Sequence, residues 1–271
     1  MPTATTPNIR HFRAKSTAGM VTDITGVEGS NLWNLQEIRE SVAATGIARL
    51  ENNSFRQLGR DARKEYLAAF SQFKLHAPTH KFKAEDLRTS PWRKLAIGST
   101  NGLGESYAQL LQTTYFAESD SRCPSLTKLW RLLRVLRNEL ADLEPSFGSN
   151  GARDGFWNAC RIHHYPIGGG FMVEHRDTHF PSVLSTHRLP FLQVMMLLSN
   201  RGVDFSTGGG YVIGRDERFI DLESESAIGT IIIFDGSVRH GVKDIDRHEV
   251  LNVDSSRGRI AAFNNLYQTY Q

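Results

Sequence analysis

The chain has 271 residues, which corresponds to one or two domains at about 150 residues each. Apolar residues make up 39% of the sequence and charged residues 23%, a composition that is typical of globular proteins and excludes disordered and fibrous ones. No apolar run approaches the roughly 18 residues of a membrane-spanning helix. A net charge of +3 is too small to indicate a nucleic-acid partner, and two cysteines are too few for a disulfide framework or a structural zinc site. These features favour a cytoplasmic protein with neither a membrane nor a nucleic acid as partner.

Residues 1–30 lack the continuous apolar segment of a secretion signal, and we interpret them as a flexible N-terminal arm. Arg10, Arg13 and Lys15 precede the first acidic residue, so an organellar transit peptide is the alternative for this arm. Helical periodicity begins where the arm ends.

Segment 31–150 carries apolar residues at helical spacing and is predicted to be a helical support region. Ser30 and Asn31 are capping residue types ahead of the first predicted helix, and Gly46 can close that helix. Residues 47–50 then predict a short strand.

Two further helices are predicted over residues 54–73 and 125–143. Ser125 is the expected N-cap of the later helix, and Pro145 lies just beyond its end. One side of this helix carries a basic stripe that we interpret as a solvated face rather than a polyanion site: Lys128, Arg131, Arg134 and Arg137.

Residues 92–115 are rich in Gly, Ser, Asn and Gln, which makes this stretch too polar for a core segment. Loops carry function more often than the elements that they connect, so the stretch is interpreted either as a lid over a substrate site or as a surface loop. The sequence leaves both alternatives open.

The pattern changes after a break at 148–155 that contains glycine and asparagine. Short β-rich runs separated by glycine turns follow at 161–165, 171–177, 191–198, 210–213, 229–234 and 259–263. Six short strands without a long helix between them predict antiparallel pairs that close into a barrel or jelly roll. The predicted class is therefore α+β, with residues 151–271 as a β-barrel core that forms one continuous domain with segment 31–150.

His175 and Asp177 are two residues apart in a predicted strand, so both side chains are expected on the same face while Arg176 points away. His240 follows a later buried run and the turn at residues 235–236. Two imidazoles and one carboxylate form the facial triad of non-haem Fe(II) oxygenases, which leaves coordination positions open for oxygen chemistry. Alternatively, such residues recur by chance as satisfied polar groups in loops, and His175, Asp177 and His240 alone leave both interpretations open.

The surrounding residues extend this pattern. Tyr165 stands ten residues before His175 with a glycine turn between them, and Arg259 opens the last β-rich run. The order of these elements over about 156–267 resembles the Fe(II)- and 2-oxoglutarate-dependent dioxygenases, particularly the prolyl-hydroxylase-like branch. The resemblance implies a double-stranded β-helix, a distorted jelly roll related to the cupin barrel, with the helical N-terminal half packed against it.

The resemblance also implies a role for each matching residue. His175, Asp177 and His240 match the iron ligands, and Arg259 matches the basic residue that pairs with the distal carboxylate of 2-oxoglutarate. Tyr165 and Gln193 match positions that bind or line the cosubstrate pocket. The implied cofactors are Fe(II), with 2-oxoglutarate and O₂ as cosubstrates and succinate and CO₂ as co-products.

Arg161 and His163 share the strand parity of Tyr165, so their side chains are candidates for substrate contacts. Arg259 rather than Arg257 is expected to pair with the cosubstrate, because residues 246–256 resemble an inserted polar hairpin that would carry Arg257 into solvent. In the family a serine often stands two residues after the basic one, whereas this chain has Ala261.

The leading hypothesis is a hydroxylase that acts on a small molecule, such as an amino acid or a natural-product intermediate. A protein hydroxylase of the prolyl type, and a desaturase or cyclase using the same site, are the alternatives among enzymes. A catalytically silent jelly-roll binding module is the alternative of another class. The sequence indicates neither the substrate nor the oligomeric state.

Overall fold

The computed structural model describes residues 11–13, 33–70, 72–77, 91–100, 106–177 and 179–269. Within these ranges all strands belong to one 13-stranded sheet. The strands are β1 His11–Arg13, β2 Ile47–Glu51, β3 Leu75–His76, β4 Trp92–Thr100, β5 Ser106–Phe116, β6 Phe156–Pro166, β7 Gly170–His175, β8 Leu192–Leu197, β9 Gly209–Ile213, β10 Phe219–Asp221, β11 Ile231–Asp235, β12 His240–Ile245 and β13 Gly258–Gln268. The helices are α1 Leu35–Thr45, α2 Asn53–Phe70, α3 Pro124–Leu140, α4 Gly151–Asp154 and α5 His179–Thr186. No helix in the described part of the chain is long and apolar enough to cross a membrane.

The sheet curls back on itself. Its strand order is β1-β2-β11-β8-β13-β6-β5-β7-β12-β9-β10, so that β13 and β9 are separated by four strands. Nevertheless, a Cβ atom added to Gly210 of β9 would lie 2.5 Å from the Nη2 atom of Arg259 on β13. Near the two ends of the order, Arg49 of β2 donates a hydrogen bond to the carbonyl of Asp221 at the end of β10, at 2.6 Å. Side chains from distant strands therefore meet inside a half-closed barrel.

Alternation along the central strands separates two environments. On β13, Ile260 and Ala262 belong to the large apolar core under the helices, whereas Ala261 and Phe263 belong to a second cluster inside the barrel. The helices contribute the following apolar residues to the first core: Ile38 and Val42 of α1, Phe55, Leu58 and Tyr66 of α2, and Leu126, Leu129, Leu133 and Leu136 of α3. The helices thus form a layer on the outside of the barrel, and the inner face remains available for a site.

Helix α1 begins at Leu35, and its N-cap is Asn34, whose side chain accepts from the backbone N–H of Glu37 at 3.3 Å. The predicted cap at Ser30 or Asn31 is therefore wrong, and those two residues lie outside the described part of the chain. Gly46 closes the helix as predicted, because its φ of 86° is left-handed and its N–H bonds to the carbonyl of Val42.

Helix α3 begins one residue before the predicted cap Ser125, which lies inside the helix. Its N-cap, Cys123, makes no side-chain cap bond. Instead, the carboxylate of Glu65 on α2 accepts from the backbone N–H groups of Ser125 and Leu126, each at 2.9 Å. A carboxylate from a neighbouring helix thus replaces the local cap, which no capping pattern in the sequence indicates.

The basic stripe of α3 is not uniformly solvated. Arg137 is 4% exposed, and burial lowers the pKa of its guanidinium to about 9. Its N–H groups donate to the side-chain oxygens of Asn138, Asn158 and Asn264 at 2.7–3.1 Å. Arg137 therefore docks α3 onto β6 and β13, and the interpretation of the whole stripe as a solvated face is wrong at this residue.

Residues 92–115 form sheet rather than a lid or surface loop, apart from 101–105, which lie outside the described residues. Strands β4 and β5 pair with each other, and β5 also pairs with β6 and β7. Gln112 and Thr114 of β5 are fully buried. Polar composition misled the prediction because these side chains are buried against polar partners, such as the carbonyl of Val253 that accepts from Gln112.

Residues 246–256 do not form a hairpin, because this connection between β12 and β13 consists of turns and contains no strand. Asp246 anchors this connection: its carboxylate accepts from the backbone N–H groups of Ser206 and Thr207 at 2.7–3.1 Å. Arg257 is half-exposed and pairs with Glu249 at 3.1 Å, which agrees with the expectation that Arg257 faces solvent.

Candidate metal centre

Three side chains that the sequence singles out converge at one edge of the barrel. His175 at the end of β7 and His240 at the start of β12 are register partners, and their ring centroids are 4.3 Å apart. With Asp177 they offer ligand atoms that all lie within 4.8 Å of one another. The antiparallel register therefore brings together residues that are 65 positions apart in the chain.

The predicted strand over 171–177 is too long, because β7 ends at His175 and Asp177 lies beyond it. The backbone N–H of Asp177 donates to the carbonyl of Gly236 at 3.3 Å, and Arg176 donates to the carbonyl of Ser237 at 2.5 Å. These bonds hold residues 176–177 against the turn before β12. The alternation of side chains along a strand therefore does not position the Asp177 carboxylate. Arg176 nevertheless points away from the cluster, as expected.

Backbone carbonyls orient both imidazoles. Nδ1 of His175 lies 2.9 Å from the carbonyl of Val173, and Nδ1 of His240 lies 2.9 Å from that of Val238. A carbonyl oxygen only accepts, so each Nδ1 carries a proton, and each Nε2 is the ring nitrogen left for the cluster. The Nε2 atom of His240 lies 3.5 Å from Oδ2 of Asp177. Both histidines thus present a metal-binding nitrogen to the cluster.

Asp177 is held by a chain of amides. Gln193 of β8 donates from Nε2 to Oδ2 of Asp177 at 2.9 Å, and Asn265 of β13 donates from Nδ2 to Oε1 of Gln193 at 2.7 Å. All three side chains are at least nine-tenths buried. The amide of Gln193 therefore bonds both to Asp177, a candidate metal ligand, and to Asn265. Through the first of these bonds it fixes Oδ2 of the Asp177 carboxylate.

The donor set fits Fe(II). Two neutral imidazoles and one carboxylate on one side of a cation leave its opposite side open, which is the arrangement that non-haem iron uses for oxygen chemistry. His248 is exposed in the connection after β12 and does not belong to the cluster. The carboxylate and the two imidazoles are held in place by protein hydrogen bonds.

The inner face of β6 and β13 forms one wall beside this centre. Arg259 is the register partner of Tyr165, and its guanidinium carbon lies 5.6 Å from the centroid of the Tyr165 ring. Both side chains are 2% exposed. The Nε atom of Arg259 also lies 2.5 Å from Oε1 of Glu223, which likewise is buried. We call the region around Arg259, Tyr165 and Glu223 the deep end of the site.

Arg161 and His163 lie on the same face of β6, as their parity predicts. The His163 ring centroid is 4.8 Å from that of Phe263, and the guanidinium carbon of Arg161 is 5.5 Å from it. Burial, together with the charges of Arg161 and Arg259, lowers the pKa of His163 well below its usual value. His163 is therefore a neutral group between two arginines.

No protein-family model and no curated protein matches this sequence. Among solved structures, a Pseudomonas putida prolyl-4-hydroxylase is similar over 87% of this chain and 99% of its own, with a TM-score of 0.50 and 15% identity. A prolyl hydroxylase from Trichoplax adhaerens, in complex with a peptide fragment of the hypoxia inducible factor oxygen degradation domain, covers 86% of this chain and 89% of its own (TM-score 0.49, 12% identity). A 2OG-Fe(II) oxygenase family oxidoreductase from Burkholderia pseudomallei covers 88% and 93% (TM-score 0.47, 13% identity).

The chain has the double-stranded β-helix fold of the 2-oxoglutarate oxygenases. The predicted fold class is thereby confirmed, including the helical layer on the outside. Within this double-stranded β-helix, the cluster of His175, Asp177 and His240 lies where β7 and β12 pair at the barrel edge.

Sequence reasoning missed several residues of the site. Asn265 and Tyr267 continue the alternation that begins at Arg259, so the parity of β13 alone could have placed them on the inner face. Tyr115 could not be found in this way, because its segment was interpreted as a loop. For Glu223 the sequence carries no signal: it follows β10 and reaches Arg259 only because the β-helix curls.

Proposed function

We propose that this protein is an Fe(II)- and 2-oxoglutarate-dependent dioxygenase that hydroxylates a small molecule, with succinate and CO₂ as co-products. The observation that carries the proposal is the set of His175, Asp177 and His240, with ligand atoms within 4.8 Å and both Nδ1 atoms held by backbone carbonyls. The double-stranded β-helix fold supports the same chemistry.

In this proposal the two imidazole Nε2 atoms and the Asp177 carboxylate hold Fe(II). When bound, Fe(II) supplies the site for O₂ activation coupled to oxidative decarboxylation of 2-oxoglutarate. Gln193 donates a hydrogen bond to Oδ2 of Asp177 at 2.9 Å, which would hold the carboxylate in place beside the metal. The role of Gln193 is then to position a ligand rather than to contact the cosubstrate.

The deep end of the site suits the cosubstrate. The guanidinium of Arg259 would pair with the distal carboxylate of 2-oxoglutarate, and Tyr165 lines the same end. Ala261 lies between Arg259 and Phe263 on this face of β13, and its small side chain leaves room for a carbon chain that extends from Arg259 toward the metal. Apolar side chains of the inner cluster, such as Leu197 and Ile232, exclude water from this end.

The test is consumption of 2-oxoglutarate by the Fe(II)-loaded protein in air, with and without a pool of small metabolites. We expect succinate to form in stoichiometric amounts with 2-oxoglutarate loss, and one metabolite to gain an oxygen atom. The matched control is Asp177→Ala, which removes a ligand and should form no succinate. Loss of two hydrogens from the metabolite instead would identify a desaturase or cyclase.

Thermal stability gives a second measurement that needs no substrate. A ligand that binds only the folded state stabilises it by RT ln(1 + [L]/Kd), about 2.7 kcal/mol at a hundredfold excess over Kd. Mn(II) and 2-oxoglutarate together should raise the melting temperature by several degrees, more than either alone, because the keto acid chelates the metal. No shift with both present would support a silent binding module, whereas succinate formation driven only by proteins or peptides would support a protein hydroxylase.

A further inference from the structure

Arg161 lies on the inner face of β6 between two aromatic strands. Its register partners are Tyr115 of β5 and Phe263 of β13. The guanidinium carbon lies 5.5 Å from the ring centroids of both Phe263 and Tyr267, and Nη1 donates to the hydroxyl of Tyr267. Aromatic rings therefore fix the position of this cation.

An ion pair balances the positive charge of Arg259, whereas no ion pair with a described residue balances that of Arg161. Arg259 forms an ion pair with Glu223 at 2.5 Å, whereas Arg161 forms none with any residue that the structure describes. The Nε atom of Arg161 is buried and has no hydrogen-bond acceptor among the described residues. Burial opposes the charge of Arg161, but the facing hydroxyls of Tyr267 and Tyr115 and the Asp177 carboxylate raise its pKa overall. Arg161 is therefore a permanent cation that is hydrogen-bonded to Tyr267 and Tyr115, and its Nε–H group has no acceptor among the described residues.

Arg161 and Arg259 mark opposite ends of one wall. Arg259 is opposite Tyr165, and Arg161 is four residues before Tyr165, which is about 13 Å along a strand. His163, the register partner of Ala261, lies between them on the same face. A cosubstrate whose distal carboxylate pairs with Arg259 therefore does not occupy the part of the wall at Arg161.

We infer that Arg161 binds a carboxylate group of the primary substrate, so that the substrate is a free acid rather than an internal residue of a peptide chain. This inference rests on the proposed function, because it takes the Arg259 end for 2-oxoglutarate. A planar guanidinium binds a carboxylate through two parallel N–H groups, and the rings of Phe263 and Tyr267 offer an apolar surface to the carbon skeleton beside it. The acid is then anchored with its skeleton toward the metal centre.

The test measures anion binding directly, with 4-fluorobenzoate and its neutral amide 4-fluorobenzamide as probes. Calorimetric titration uses the metal-free full chain, so that neither probe can bind through a metal. We expect the wild type to bind the carboxylate at least tenfold more tightly than the amide. Arg161→Gln should abolish this preference, Arg161→Lys should retain part of it, and Arg60→Gln, a change at an exposed arginine of α2, should leave it intact.

Two results would overturn the inference. One is the absence of any preference for the carboxylate in the wild type, including no binding of either probe. The other is a preference that Arg259→Gln removes and Arg161→Gln does not, since the probe would then occupy the cosubstrate end.

A parallel titration separates this inference from the proposed function. Arg161→Gln should bind 2-oxoglutarate, in the presence of Mn(II), within about threefold of the wild type, and a tenfold loss would assign Arg161 to the cosubstrate instead. If the wild type itself fails to bind 2-oxoglutarate with metal present, the proposed function fails, and the metal-free benzoate titration still decides whether Arg161 is a carboxylate receptor.

Discussion

Glu223 and Arg259 form a buried ion pair in which the Nε atom of the guanidinium lies 2.5 Å from Oε1 of the carboxylate, with both side chains 2% exposed. The same oxygen accepts from the backbone N–H of Gly210 at 3.0 Å. Gly210 is required here, because a Cβ atom at that position would lie 2.5 Å from the Arg259 guanidinium. Since Glu223 engages Nε, it fixes the plane of the guanidinium and leaves the two Nη groups for an anion.

Removing the Glu223 side chain should therefore weaken cosubstrate binding even though a negative charge is lost from the site. Glu223→Ala should raise the Kd of 2-oxoglutarate for the Mn(II)-loaded protein at least about tenfold, because an unpaired buried guanidinium loses its fixed orientation. Glu223→Gln should stay within about threefold, since its amide oxygen can accept the same two hydrogen bonds. Tighter binding by both variants would show that Glu223 competes with the cosubstrate instead of positioning its partner.

Arg259 and Arg257 offer a matched pair of arginines on either side of Gly258. Arg259→Ala should raise the 2-oxoglutarate requirement at least about tenfold, because a charge-assisted hydrogen bond contributes roughly 1.5–3 kcal/mol. Arg257→Ala should change it little, because Arg257 is half-exposed and pairs with Glu249. Steady-state KM values for 2-oxoglutarate test this ranking, and the reverse order would rule out Arg259 as the cosubstrate residue.

Metal binding should depend on the paired histidines. His240→Ala should abolish Mn(II) binding and turnover with the fold intact, because the ligand set loses one of three members. His248→Ala is the control, since His248 is exposed outside the cluster. Calorimetry and circular dichroism on both variants check binding and folding. Undiminished metal affinity in His240→Ala would mean that another residue completes the site.

Gln193 supports Asp177 through a hydrogen bond, so a change at Gln193 should affect metal binding without a direct contact to the metal. Gln193→Leu removes the 2.9 Å hydrogen bond to Oδ2 of Asp177 while keeping a side chain of similar size. Loss of such a supporting bond typically lowers metal affinity 10- to 100-fold. We expect a loss in that range for Mn(II), with a smaller change in the 2-oxoglutarate Kd measured at saturating metal. A change confined to 2-oxoglutarate would instead assign Gln193 to the cosubstrate.

His164 should make the stability of the protein depend on pH. It faces the helices, where its Nδ1 lies 3.3 Å from the Tyr66 hydroxyl and its Nε2 lies 3.1 Å from the carbonyl of Arg257. Burial lowers its pKa to about 4. Between pH 6.5 and 4 the unfolded chain therefore binds a proton that the folded protein does not, and the free energy of unfolding falls as pH falls.

The contribution of His164 amounts to about 3 kcal/mol over that window, at 1.36 kcal/mol per pKa unit. Urea unfolding of the wild type and of His164→Gln at several pH values measures it. The variant should show a slope that is shallower by about one proton. An unchanged slope would mean that His164 is protonated in the folded state across this range.

The sequence predicts the parts of this protein that depend on local pattern. Alternation in β6 and β13 places Arg161, His163, Tyr165 and Arg259 on one face, and the structure has them there. The ligand cluster also follows from the sequence, although Asp177 reaches it from beyond the end of β7. These positions can be predicted from the sequence because successive side chains of a strand alternate between its two faces, with a repeat of two residues.

The remainder depends on contacts between distant segments. Glu65 caps α3 across 60 residues, and Glu223 meets Arg259 across 36. Residues 92–115 carry the composition of a loop, yet four of their polar side chains are buried in the folded sheet: Arg93, Gln109, Gln112 and Thr114. No local pattern contains these pairings, because each depends on how the sheet curls and where the helices pack.

In the second half of β13, Asn264 and Asn265 face opposite sides of the sheet. Asn264 accepts from the buried Arg137 of α3 at 2.7 Å, whereas Asn265 supports Gln193 and, through it, Asp177. A single dipeptide thus joins the helical layer to the proposed metal ligand Asp177. For protein engineering this means that the barrel and the helical layer are coupled. A chimaera that takes β13 from one parent and α3 from another would put at risk both the bond of Arg137 to Asn264, one of its three asparagine acceptors, and the bond that Gln193 accepts from Asn265. Crossover points chosen to preserve the proposed metal site should therefore keep α3, β8 and β13 from one parent.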